Sequence, residues 1–384
     1  MKKVLLLTEN FPPIEGGSGR WFWELYSRLP RDKVLVCTHH FEKGFTFDKT
    51  HNIPIIRIPL HSPEWGVKSI FGLQFYFSCV KKLLKIIKEH EIEEIHCGRV
   101  IHEGVTAWIV SMLTGTRYSC FVHGEDVETA ATSREQSILV KQVCKHAFSL
   151  ICNSHNSQKL VESLGFSNVN KCEVLHPGVD ISTFQPASEN QEIRKRFGWA
   201  KDSLLLLTVG RLQKRKGQDF LIEAMPRLLQ QVPNLQYAIV GRGEELENLR
   251  NLIYKHKLQD NVFIHTNFDD NDLISAYQQC DVFILPNRTI QNDIEGFGMV
   301  LVEAQACGKP VIAGNSGGTS ETFKEGETGF IVDCSSPHAI ETALPSILKK
   351  CKTLDRENIS GSAAQLFNWD KHAEAFIELM DTNK

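Results

Sequence analysis

A chain of 384 residues is too long for one ordinary hydrophobic core and suits two domains of roughly 150 to 200 residues each. With 42% hydrophobic and 23% charged residues it has the make-up of a packed globular protein, not a disordered one. A formal net charge of -3 excludes a protein whose main task is to grip nucleic acid by its phosphates, although residues 1–180 carry 21 Lys and Arg against 19 Asp and Glu and so lean toward an anionic partner.

The chain opens with Met-Lys-Lys-Val-Leu-Leu-Leu-Thr, which has the charged start of a secretory leader. The apolar run stops at Thr8-Glu9-Asn10 without a small-residue cleavage site, so it reads as a buried first strand. From there short apolar runs, each ending in Gly, Thr, Asn or His and followed by an amphipathic stretch, repeat along the chain. That is the pattern of β-α units in a parallel sheet. The first half predicts strands at about 3–8, 34–39, 55–59, 94–98, 118–123, 149–154 and 172–176. The polar stretch 178–203, with Pro186 and a short basic helix around Arg194 to Phe197, predicts the domain boundary. The pattern restarts at 204–210, 237–240, 262–265, 282–285, 311–313 and 330–332. Phe367-Asn368-Trp369-Asp370 leads into a last amphipathic helix with no strand after it, which must dock on a surface already built.

The fold class is therefore α/β, with two Rossmann-like, doubly wound parallel-sheet domains at 1–180 and 181–365 and a terminal segment at about 366–384. Eleven cysteines, an odd number without a Cys-x-x-Cys pair, predict reduced, buried thiols and a cytoplasmic protein. No run approaches the roughly 18 to 20 apolar residues that cross a bilayer, so membrane association is expected to be peripheral at most.

Doubly wound sheets hold ligands at the carboxyl ends of their strands, where helix N-termini point at the crevice. After the strand at 204–210 comes Arg211-Leu212-Gln213-Lys214-Arg215-Lys216-Gly217, then a helix from about Gln218. Four cations crowd a helix N-terminus, an end that ordinarily favours acids. A diphosphate reconciles the arrangement, because Arg offers a planar fork, Lys a point charge and the helix its N–H groups. A solvated basic loop is the plain alternative.

A second constellation, Asp293-Ile294-Glu295-Gly296-Phe297-Gly298-Met299-Val300-Leu301-Val302-Glu303, follows the strand at 282–285. Gly296 and Gly298 let the backbone approach a ligand, and the amides of Phe297, Gly298 and Met299 can meet phosphate or hydroxyl oxygens. Glu295 can accept sugar hydroxyls, and Glu303, in an otherwise apolar helix, can accept those of a ribose. An ordinary salt-bridged Glu303 is the plain alternative. A third signal is Pro12-Pro13-Ile14-Glu15-Gly16-Gly17-Ser18-Gly19-Arg20, where adjacent glycines, with Ser18 as N-cap, form a turn able to hold an anion or admit a substrate. In Phe121-Val122-His123-Gly124-Glu125-Asp126, His123 ends a buried strand, a position that suits a structural histidine as well as a chemical one. Gly241-Arg242-Gly243 reads as architectural, and the loop Gly314 to Glu321 is open to either reading.

In this order the motifs resemble family 4 of the glycosyltransferases, retaining enzymes of the GT-B fold, and within it the bacterial mannosyltransferases acting on phosphatidylinositol mannosides. The resemblance is carried by Gly-Arg-Leu-x3-Lys-Gly-Gln-Asp at 210–219 and by Asp293 to Gly298 through Glu303-Ala304-Gln305-Ala306-Cys307-Gly308. It covers essentially the whole chain and is strongest from Gly210 to Asp333. It implies two domains facing across a cleft, the first binding the acceptor and the second the nucleotide-sugar donor. It further implies that Arg211 and Lys216 hold the donor diphosphate, Glu303 the ribose and Glu295 the transferred hexose, with Gly296 and the amides of Phe297 to Val300 completing the cradle. His123 would lie beside the donor sugar, Gly16 and Gly17 near the phosphate and acceptor, and the helix around Trp369 would cross back to the first domain. One departure stands in His176-Pro177-Gly178-Val179-Asp180, which lacks the Asn that often precedes the Gly in this family.

Breaking a glycosyl phosphate bond builds charge on the diphosphate, which fixed cations stabilise as it develops. No Asp-x-Asp motif stands with the cations of that loop, so no obligatory metal is expected. The expected reaction is transfer of a hexose, from GDP-mannose ahead of UDP-glucose or UDP-N-acetylglucosamine, to a glycan or lipid-linked acceptor. An epimerase on the same fold would need a further acid/base set, and a noncatalytic nucleotide-sugar-binding protein would need a damaged donor motif. Residues 65–90 combine Trp65, Phe71, Phe75, Tyr76 and Phe77 with Lys81, Lys82, Lys85 and Lys88. They suit a helix resting on anionic lipid, though core aromatics with solvated lysines are the preferred expectation.

Overall fold

The computed structural model describes residues 1–14, 16–61, 66–167 and 169–382, so Glu15 of the glycine turn and Trp65 lie outside the described residues. The chain forms two compact units, Met1–Pro177 joined by the C-terminal segment from Trp369, and Gly178–Asn368.

In the first unit seven parallel strands, β1 (Val4–Thr8), β2 (Val34–His39), β3 (Ile55–Ile58), β4 (Glu94–Cys97), β5 (Arg117–Val122), β6 (Leu150–Cys152) and β7 (Cys172–Val174), lie in the order β3-β2-β1-β4-β5-β6-β7. The chain winds outward from β1 to one side and then from β4 to the other, so the strand order reverses between these two. The strands are largely apolar on both faces because helices cover both, with β4 an exception that buries Glu94 and His96. The C-terminal helix Trp369–Thr382 packs on this unit, where the Phe376 ring lies 6.0 Å from those of Tyr26 and Phe121.

The second unit has six parallel strands, β8 (Leu204–Val209), β9 (Leu235–Val240), β10 (Val262–His265), β11 (Val282–Leu285), β12 (Val311–Gly314) and β13 (Gly329–Val332), in the order β10-β9-β8-β11-β12-β13. Every residue of β8 is buried, as a strand covered on both faces must be. The polar stretch after residue 178 belongs to this unit. Its helix Gln191–Arg196 is capped by the Asn190 side chain, and buried Arg194 binds Asp281 at 2.8 Å. The Val179 N–H donates to the Phe367 carbonyl at 2.6 Å.

The thirteen strands among the described residues all fall on the expected runs. β6 and β7 are shorter than expected. β6 stops at Cys152 because Ser154 turns to cap the helix His155–Ser163, accepting the Ser157 N–H at 3.1 Å. Two local expectations are corrected. Ser18 is not an N-cap: the helix Gly17–Tyr26 starts one residue before it, with Gly16 in the cap position and no side-chain cap bond among the described residues. In the helix Ile70–His90, Tyr76 is buried and Phe75 half-buried, but Phe71 and Phe77 are each 74% exposed. The helical period places Ile70, Phe71, Leu73 and Phe77 away from the buried row Gly72, Tyr76, Cys79 and Val80. All eleven cysteines are buried and unbridged. Among the described residues no helix is long and apolar enough to cross a membrane.

Candidate functional site

The cations after β8 are placed by a single turn of 3-10 helix, Lys214–Lys216, followed by Gly217 and the helix Gln218–Gln231. Gly217 has φ 75°, and a Cβ there would lie 1.8 Å from the Pro286 carbonyl oxygen, so only glycine lets this loop press against the end of β11. The same contact is sewn by the Arg288 N–H donating to the Arg215 carbonyl at 2.8 Å. The Arg288 guanidinium then forks onto Asp219 at 2.7 and 2.8 Å and lies 3.7 Å over the Phe220 ring.

The tight turn directs Lys216 inward. Its Nζ donates to Glu295 Oε2 at 2.5 Å, and Arg215 Nη1 donates to the same oxygen at 2.6 Å, while Arg215 Nε lies 3.0 Å from Asp293 Oδ1. Lys216 and Glu295 are both buried. Burial alone would push the Glu295 carboxyl up, but the adjacent charges and hydrogen bonds of Lys216 and Arg215 hold it down at about 2. Glu295 is fixed from its other side by the loop after β12, where the Gly318 N–H donates to the Glu295 carbonyl at 2.9 Å. Gly317 has φ 61°, and a Cβ on it would stand 1.9 Å from that carbonyl oxygen. The loop Gly314 to Glu321, open to either reading from sequence, thus braces the carboxylate loop.

Glu303 lies in the helix Met299–Ala306, buried, and accepts from the Tyr277 hydroxyl at 2.6 Å. Gly298 precedes this helix with φ 94°, no side chain caps it among the described residues, and its first turn holds no acid. Its N-terminal N–H groups therefore face the loop without competition from a side chain. Met299 and Val300 are half-buried there. The Phe297 side chain is core, with its ring 5.9 Å from that of Phe367, so its ring is not presented to a ligand.

Of the residues singled out from sequence in this unit, Lys216 and Glu295 are brought into contact, whereas Arg211 is exposed at the end of β8 and Arg215 takes the place beside Lys216. Sequence reasoning missed the Arg288–Asp219 fork and Tyr277. The run of four cations pointed to Arg215 without distinguishing it, and nothing local marks Tyr277, since its contact spans 26 residues. Gly241 and Gly243 are architectural: the Leu212 N–H donates to the Arg242 carbonyl at 2.8 Å, packing the two loops together. One Asp-x-Asp triplet does occur outside the cation loop, Asp270-Asn271-Asp272, at the start of the helix Asp270–Gln279. Its Asp272 is committed to Arg196 at 2.7 Å and takes part in the Asp269 cap.

In the first unit His123 follows β5 and is buried. Its Nε2 lies 2.8 Å from the Gly98 carbonyl, its N–H donates to Asp126 Oδ1 at 3.1 Å, and Trp21 and Phe22 meet its ring edge to face. A carbonyl only accepts, so Nε2 carries the proton and Nδ1 of the neutral ring is the acceptor. Gly16 and Gly17 are exposed at the start of the helix Gly17–Tyr26.

Residues 189–365 match the family described as glycosyl transferases group 1, and residues 15–183 match glycosyltransferase family 4. The chain belongs to glycosyltransferase family 4. This glycosyltransferase is 29% identical over 375 residues to the GDP-mannose-dependent alpha-(1-6)-phosphatidylinositol monomannoside mannosyltransferase of Mycolicibacterium smegmatis, covering 95% of this chain and 94% of that one. It is 29% identical over 357 residues to the GDP-mannose-dependent monoacylated alpha-(1-6)-phosphatidylinositol monomannoside mannosyltransferase of Corynebacterium glutamicum, covering 90% of this chain and 89% of the relative. Among solved structures it resembles Anabaena HepE in complex with UDP, with a TM-score of 0.81 and 22% identity over the whole of both chains. The fold of the glycosyltransferase is thus GT-B.

Proposed function

We propose that this glycosyltransferase moves mannose from GDP-mannose to a lipid-linked acceptor of the phosphatidylinositol mannoside kind, with retention at the anomeric carbon. The observation that carries the reading is the buried Lys216–Glu295 pair beside an uncapped helix N-terminus. The choice of GDP-mannose and of the acceptor class is supported by relatives of those names that align along nearly the whole chain.

In this reading the diphosphate draws Lys216 away from Glu295, and Lys216 with Arg211 stabilises the negative charge that builds on the diphosphate as the glycosyl phosphate bond breaks. Glu295, released from one partner, accepts hydroxyls of the transferred hexose. Glu303 accepts the ribose hydroxyls, with the Tyr277 hydroxyl keeping one of its oxygens in place. The backbone from Gly296 to Val300 supplies N–H groups to the phosphate and sugar oxygens. His123 presents Nδ1 to a sugar hydroxyl, and Gly16 and Gly17 admit the phosphate and acceptor. The acceptor hydroxyl attacks the face that the diphosphate leaves, and its proton passes to the departing phosphate. The first unit is the acceptor domain and the second the donor domain. Eleven buried free thiols fit a reducing, cytoplasmic compartment, and the exposed Ile70, Phe71, Leu73 and Phe77 ahead of Lys81, Lys85 and Lys88 fit peripheral contact with anionic lipid.

The test is incubation of the protein with vesicles containing phosphatidylinositol monomannoside and radiolabelled GDP-mannose, UDP-glucose or UDP-N-acetylglucosamine in turn. Label should pass to the lipid from GDP-mannose; transfer from a UDP-sugar alone would overturn the donor assignment.

A further inference from the structure

The loop that follows β1 holds a carboxylate that the donor chemistry does not use. Glu9 stands directly after Thr8, at the carboxyl end of the central strand beside the reversal of strand order, the place where a doubly wound sheet admits a ligand. Its backbone is fixed: its N–H donates to Glu103 Oε1 at 2.9 Å, and the Thr38 hydroxyl donates to its carbonyl at 3.4 Å. The side chain therefore leaves a rigid point.

Its two oxygens differ. Oε1 is 2.6 Å from His61 Nδ1, a short hydrogen bond. Oε2 accepts no hydrogen bond among the described residues; its neighbours are His102 Nε2 at 3.5 Å and Arg99 Nη1 at 3.9 Å. At those distances neither group takes up the lone pairs of Oε2 in a hydrogen bond. His102 is fully buried between two carboxylates, with Nδ1 3.7 Å from Glu103 Oε2. The Glu9 side chain is 14% exposed, nearly enclosed by the protein yet not cut off from solvent. A nearly enclosed carboxylate with acceptor capacity on one oxygen suits a hydroxyl donor, since O–H to carboxylate bonds are short and strong. Cyclitol and sugar rings, with adjacent hydroxyls, present such donors.

We propose that Glu9 binds a hydroxyl of the acceptor, with His61 and His102 steadying its carboxylate from either side. The inference rests on the transferase reading given above. In the vesicle assay with GDP-mannose and phosphatidylinositol monomannoside, Glu9→Ala should raise the acceptor KM on the order of 10- to 100-fold, the size of one charge-assisted hydrogen bond. Glu9→Gln, which keeps the shape, should fall between it and the parent, and His61→Ala should raise KM less. The GDP dissociation constant, measured by calorimetry, should be unchanged in all three, a pattern that general loosening of the fold would not give. An unchanged acceptor KM in Glu9→Ala overturns the proposal. If the parent protein glycosylates no such lipid, the acceptor reading fails by itself, and Glu9 is then judged by saturation-transfer NMR with myo-inositol and methyl α-mannopyranoside. Signals seen with the parent and lost in Glu9→Ala support the assignment, whereas equal signals, or none with either protein, overturn it.

Discussion

Lys216 and Arg215 share one oxygen of Glu295, and the carboxyl, held at about 2, stays ionised through the ordinary pH range. Because its value in the folded protein lies below the ordinary 4.5, the stability it contributes is fully present above pH 4.5 and is lost as pH falls toward 2. At neutral pH that contribution is on the order of 3 kcal/mol. Urea unfolding should therefore show Glu295→Gln less stable than the parent at pH 7, with the gap narrowing as the pH is lowered to 3. A gap independent of pH would mean that the charges do not stabilise the fold. Lys216→Ala and Glu303→Ala test the donor chemistry itself: each should lower transfer on the order of 100- to 1,000-fold while unfolding stays cooperative. Near-normal rates in either variant would contradict the assignment. These residues were legible in the sequence because each is locally out of place: cations where a helix begins, and a carboxylate inside an apolar helix. Which arginine turns inward was not legible. Arg211 and Arg215 both flank the motif, and the choice is made by the 3-10 turn at Lys214–Lys216 and by the packing of Gly217 on Pro286.

At the scale of elements, the strands were readable because strands buried on both faces leave uninterrupted apolar runs such as Leu204 to Val209. Helix starts were less so. Ser18 has the chemistry of a cap, but the paired glycines before it begin the helix first, at no steric cost. The helix Ile70–His90 was misjudged for another reason: aromatic content does not reveal how wide a stripe the core accepts. The core takes Tyr76 and part of Phe75 and leaves Phe71 and Phe77 outside, on the face that continues into Lys81, Lys85 and Lys88. Together, Phe71→Ser and Phe77→Ser should weaken cosedimentation with anionic vesicles by about tenfold, since burying an aromatic contributes on the order of 1.5 to 3 kcal/mol and the lipid interface realises part of it. Their melting temperature should not fall, because neither ring packs in the core. Unchanged vesicle binding would remove this face from the account.

At the scale of the whole molecule, two parallel-sheet units and a chain that returns to the first unit at Trp369 agree with the GT-B fold, and the lysine, arginines and carboxylates proposed for the donor all fall in Gly178–Asn368. In the proposed reading lysine and arginine take the diphosphate, so a chelator should reduce the rate of transfer less than twofold, as judged by the vesicle assay with and without EDTA. Strict dependence on a divalent ion would undercut the role given to Lys216 and Arg211. The donor base was the part least legible in the sequence, because the cation loop meets phosphates that every nucleotide shares. The most direct measurement is therefore the melting temperature of the protein with GDP, UDP and ADP, each at about 100 times a micromolar dissociation constant. A ligand that binds only the folded protein at that ratio stabilises it by about 2.7 kcal/mol. The account predicts a rise with GDP, absent in Lys216→Ala; a rise with UDP or ADP but not GDP would contradict the donor, and no rise with any of them would contradict the site.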